Sequence, residues 1–110
     1  MNSAAAEGAQ LVVYVGAAWC EPCVAFHDAL ARGDLAGRLD GAVFLEFDLD
    51  RDQSRLAAAG YTSRLVPLFA LPDAAGRASG AQIEGGVKGA GAVENLVGRL
   101  GPLLADSAPR

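Results

Sequence analysis

The chain holds two cysteines, and both stand in the run Trp19-Cys20-Glu21-Pro22-Cys23. Thiols two residues apart can close on each other across the first turn of a helix, the layout that reversible dithiol–disulfide exchange requires. The apolar run Leu11-Val12-Val13-Tyr14-Val15 comes directly before them and reads as a buried strand. A strand that leads into a helix start puts Cys20 where the helix dipole favours a thiolate over a thiol. Cys20 is therefore the candidate nucleophile and Cys23 the candidate resolving thiol.

Other uses of the pair are poorly supplied. A structural zinc site takes four ligands, and His27 is the one histidine in the chain. Covalent haem attachment needs a histidine directly after the second cysteine, where Val24 stands. A bridge closing so short a loop adds little stability through chain entropy. No metal and no organic cofactor is expected; the redox group is the Cys20–Cys23 pair itself.

Something must position that pair, and 110 residues with 52% apolar content are enough for one domain with a real core, taken as residues 1–110. The net charge is −4 and the pI near 4.7. No block of Lys and Arg stands out, so neither nucleic acid nor an anionic membrane is expected as a partner. No apolar run approaches the roughly 18 residues of a membrane span. The opening Met1-Asn2-Ser3-Ala4-Ala5-Ala6-Glu7 lacks a basic segment and an apolar segment and is not read as an intact signal peptide. The compartment stays open; a trimmed or processed periplasmic domain is preferred to a cytoplasmic one. A monomer is expected.

Residues 1–10 read as frayed or as a short helix, and residues 11–16 as the first strand. A helix is expected from Cys20 to Arg32, with Val24, Phe26 and Leu30 as apolar contacts. Asp34 is a plausible N-cap for a short second helix through Leu39, and Asp40-Gly41 a turn. Val43–Leu49 alternates as a strand, with Val43, Leu45, Phe47 and Leu49 on one face and Phe44, Glu46 and Asp48 on the other. Residues 50–59 form a helix stopped by Gly60. The cluster of Asp48, Asp50, Arg51 and Asp52 reads as a solvated loop and helix cap. Leu68–Leu71 is a third strand, Pro72–Gly76 a turn, and Gln82–Lys88 a weaker fourth strand. Val93, Leu96, Val97, Leu100 and Leu104 keep helical spacing, so a last helix starts near Ala92 and should end or kink at Pro102. The order β-α-β-α-β-β-α gives an α/β fold: a mixed sheet of about four strands with helices on both faces.

Taken together these residues resemble the thioredoxin superfamily over about residues 11–105. Trp19-Cys20-Glu21-Pro22-Cys23 is similar to its active-site motif. Val66-Pro67, after Gly60-Tyr61-Thr62 and opening a strand, resembles its cis-proline loop. Gly89, ahead of the last helix, stands where the family has a glycine lining the substrate groove. The resemblance implies a thioredoxin-like fold and a groove built from Trp19, Glu21, Pro22, Val66, Pro67 and Gly89. Within the superfamily, Cys23-Val24-Ala25-Phe26-His27 is most similar to the C-terminal domain of DsbD-type interchange proteins. Glu21-Pro22 resembles instead the thiol reductases of cytochrome c maturation. Those usually carry an insertion for which the 43 residues between Cys23 and Pro67 leave little room.

The chain departs from the family pattern where a proton must move. Thioredoxins carry a buried Asp six residues before the first cysteine, and Tyr14 stands there. Glu46 replaces a lysine of the next strand. His27, one helical turn beyond Cys23, and Glu46, on the neighbouring strand, are the two competing candidates for proton transfer. The expected activity is reduction of protein disulfides through a mixed disulfide, with protein disulfides as substrates and an unidentified electron donor. The alternative is a non-catalytic binding module, or a metal-binding protein using the same cysteines.

Overall fold

Continuous burial on both faces suits the first strand to an inner place in the sheet. In the computed structural model, which describes residues 10–35, 37–39 and 41–107, β1 (Gln10–Gly16) lies between β2 (Ala42–Asp48) and β3 (Leu68–Pro72). The outer partner of β3 is β4 (Ala78–Glu84), giving the order β2-β1-β3-β4. β1 and β2 are parallel, with Tyr14 opposite Glu46, and the other pairings are antiparallel. The helices are α1 (Glu21–Arg32), α2 (Leu49–Ala58) and α3 (Ala92–Ser107).

Val12, Tyr14 and Phe69 face a core shared with Phe26 of α1 and Leu96 and Leu100 of α3. Val13, Val15 and Leu68 face the other way, onto Leu56 of α2 and Tyr61. Helices therefore cover both faces of a four-stranded mixed sheet, as expected. The first core is organised by rings. Tyr14 stacks on Phe69 at 4.8 Å and meets Phe26 edge-on at 5.4 Å. Such pairs are each worth about 0.5–1.5 kcal/mol beyond the area they bury. Among the described residues no helix is long and apolar enough to cross a membrane.

Several elements differ from expectation. β1 begins at Gln10; residues 1–9 and Asp40 lie outside the described residues. Cys20 is the N-cap of α1 rather than its first residue, and Val24 is exposed while Phe26 is buried. The described part of residues 33–39 forms turns, not a second helix. Gly33 ends α1 in the left-handed region, where its amide and that of Asp34 close back on the helix carbonyls. The Asp34 carboxylate takes Arg32; Ala36, whose amide a cap there would serve, lies outside the described residues. Phe44 packs against the ring core, so both faces of β2 meet protein. Leu49 belongs to α2. β4 lies at 78–84, not 82–88: Glu84 pairs with Leu68, and Gly85 leaves the sheet with φ +75°. α3 runs past Pro102 to Ser107. Proline there sacrifices one helical hydrogen bond near the end of the helix, where the helix need not stop.

Candidate functional site

β1 ends at Gly16 with its side chains locked in both cores, and after four residues the chain enters α1. Pro22 falls in the first turn, where its missing N–H costs nothing. Cys20 and Cys23 are joined by a disulfide with their Cα atoms 5.2 Å apart. Cys20 is 6% exposed and Cys23 2%. As N-cap, Cys20 accepts the Cys23 amide N–H on Sγ at 3.3 Å, and the Val66 carbonyl oxygen lies 3.6 Å from the same sulfur. An amide aimed at Cys20 Sγ favours negative charge on that atom when the bridge is open.

Gly16 was not singled out by sequence, although a glycine closing a β-branched run is a signal of close approach. A Cβ built there would stand 3.2 Å from Cys23 Cβ. The smallness of Gly16 is what lets Cys23 seat against the end of β1.

The segment carrying Val66 and Pro67 is held from β4. Glu84 accepts the Ser63 hydroxyl at 2.7 Å and the Arg64 amide at 3.0 Å, and these bonds hold its carboxyl below the usual carboxylate range. The Val66–Pro67 peptide bond is cis. Gly89 has φ +90°, and its amide donates to Glu21 Oε2 at 2.6 Å. Trp19 is 66% exposed, and its indole N–H donates to Asp50 Oδ2 at 2.9 Å. Trp19, Glu21, Pro22, Val66, Pro67 and Gly89 thus lie on three segments that converge on Cys20.

On the other side of α1, an open cleft of about 400 Å³ is bordered by Tyr14, Cys23, His27 and Glu46. His27 Nδ1 lies 2.8 and 2.9 Å from the two Glu46 carboxylate oxygens. The two candidates for proton transfer are one hydrogen-bonded unit, half exposed at the rim of the cleft. Tyr14 is fully buried, and its hydroxyl donates to the Cys23 carbonyl oxygen at 2.7 Å. Burial pushes that hydroxyl well above the ordinary tyrosine value, and the carboxylates of Glu46 and Asp28 push the same way. Tyr14 is a fixed donor, not a base.

Asp52 corrects the expectation of a solvated cap. It is 3% exposed and receives Arg51 at 3.0 Å, Arg55 at 2.5 Å and the Asp48 amide at 3.0 Å. These partners, Arg51 first, hold its carboxyl far below the usual range. Asp48 is the N-cap of α2, as anticipated for that cluster. Among the described residues no group of three or more His, Cys, Asp and Glu side chains is arranged to hold a metal ion.

A mutant thioredoxin from Halobacterium salinarum NRC-1 matches the structure with a TM-score of 0.56 and 19% identity, over 98% of this chain and 82% of that one. The chain therefore has a thioredoxin-like fold. No family model matches its sequence, and no curated protein does.

Proposed function

We propose that the protein is a thiol–disulfide oxidoreductase that reduces protein disulfides. The observation that carries this reading is the Cys20–Cys23 disulfide at the N-cap of α1, with the Cys23 amide directed at Cys20 Sγ. In the reduced form the Cys20 thiolate attacks one sulfur of a substrate disulfide. The Cys20–substrate S–S bond forms, and the other substrate sulfur leaves as a thiolate. Cys23, once deprotonated, attacks Cys20 Sγ, re-forms the Cys20–Cys23 bond and releases the second substrate thiolate. Two electrons pass to the substrate, and an external dithiol restores the protein. The proton of Cys23 leaves through the cleft beneath His27 and Glu46. Phe26, three residues after Cys23, favours a role like that of DsbD-type C-terminal domains.

The test is reduction of insulin with dithiothreitol as donor, in wild type, Cys20→Ser and Cys23→Ser. Wild type should accelerate reduction, Cys20→Ser should not, and Cys23→Ser should accumulate a mixed disulfide. No acceleration by wild type would sink the reading. Preferential alkylation of Cys23 in the reduced protein would reverse the two roles.

A further inference from the structure

Both residues between the cysteines touch the same distant segment, residues 85–89. Glu21 Oε2 accepts the Gly89 amide at 2.6 Å. Pro22 lies under Gly86 so closely that a Cβ there would stand 3.2 Å from Pro22 Cβ. At its other end the segment is tied to α3, where Arg99 donates to the carbonyls of Glu84 and Gly85, each at 2.7 Å. Between these anchors Val87 is left 46% exposed. Gly85 and Gly89 both have positive φ, a backbone conformation that residues with a side chain rarely adopt. Gly85 also abuts Leu65, itself 61% exposed, one residue before the carbonyl beside Cys20.

We propose that Glu21 is a positioning residue that fixes residues 85–89 at the start of α1, so that exposed Val87 and Leu65 are both offered to an extended polypeptide disulfide. This rests on the exchange reading above and adds to it the residue that holds one side of the substrate surface. The carboxylate is spent on an amide of another segment, so its work is done by accepting a hydrogen bond. Its charge beside Cys20 is secondary. A small disulfide that spans neither Val87 nor Leu65 gains little from that surface, whereas a polypeptide lying across both depends on it.

Glu21→Ala and Glu21→Gln separate the two roles, because the glutamine carbonyl can still accept from Gly89. Glu21→Ala should raise KM for insulin about fivefold, the effect of one ordinary hydrogen bond. It should change kcat, and the rate with hydroxyethyl disulfide, by less. Glu21→Gln should restore KM. Hydrogen exchange at the Gly89 amide should quicken in Glu21→Ala and return in Glu21→Gln, a readout independent of activity. If both variants instead shift the ultraviolet titration of the Cys20 thiolate alike, and slow both substrates alike, the charge is what matters and the proposal fails. Unchanged Gly89 exchange in Glu21→Ala also overturns it. An inactive wild type would overturn the exchange reading itself, a different result from either.

Discussion

The hydroxyl of Tyr14 donates to the carbonyl oxygen of Cys23 across 2.7 Å, tying β1 to the second cysteine of the pair. That carbonyl belongs to the first turn of α1, so the bond fixes the helix start as well as the sulfur beyond it. Tyr14→Phe keeps the ring stack on Phe69 and should cost about 1 kcal/mol, the net worth of one hydrogen bond. Urea denaturation reads this directly.

The same hydroxyl predicts an alkaline limb. Its folded value is raised by burial, so its contribution to stability is complete below the unfolded value near 10 and is lost as pH rises past it. As pH rises above about 10, wild type should lose stability more steeply than Tyr14→Phe. Parallel curves for the two proteins would show that the tyrosine ionises as readily in the fold as out of it.

His27→Ala should slow the decay of the mixed disulfide more than its formation and change the pH profile of that decay. Since His27 and Glu46 form one pair, Glu46→Gln should alter the same step. Rapid-mixing kinetics across the neutral range checks both. Stability should hardly move, because exposed ion pairs contribute at most about 1 kcal/mol. A step indifferent to both substitutions would assign the proton to water.

Asp52 predicts an acid limb of the opposite sign. Its folded value is depressed, first by Arg51 and then by Arg55, so the stability it confers is present above the unfolded value near 3.9 and lost as pH falls through the folded one. Asp52→Asn should be less stable than wild type at neutral pH, and the gap should close in acid. A gap that persists undiminished down to about pH 2 would mean the carboxylate's charge is not its contribution.

Gly98 lies inside α3 with open space where a Cβ would stand. Gly98→Ala should stabilise the protein by about 0.5–1 kcal/mol through the backbone entropy it removes from the unfolded chain. A lower midpoint in thermal denaturation would reveal a neighbour that the geometry does not show.

The parts of the fold that were legible in the sequence are those governed by local rules. The run of β-branched residues ending at Val15 marks a buried strand, and the cysteine spacing behind it marks a helix start. The Leu96–Leu100 spacing marks the apolar stripe of α3. β4 starts earlier than expected because Ala78, Ser79 and Gly80 carry no strand signature; Ala78 is held opposite Pro72, and the Ser79 hydroxyl donates to the Leu71 carbonyl. Asp52 looked solvated because its neighbours are charged, and only the turn of α2 shows that Arg51 and Arg55 enclose it. The union of His27 with Glu46 depends on the register that sets Tyr14 opposite Glu46, which no local pattern encodes. The Glu21–Gly89 contact spans 68 positions and was invisible for the same reason.

The two sulfurs border different surfaces: Cys20 lies beside Val66, whereas Cys23 lines the cleft with His27. A large partner docked over the first surface leaves the second wet. A covalent complex would then stay porous on one flank, open to buffer and dissolved ions throughout its lifetime. How long it lasts would be set partly by the surrounding solution, even while the docked chain stays in place.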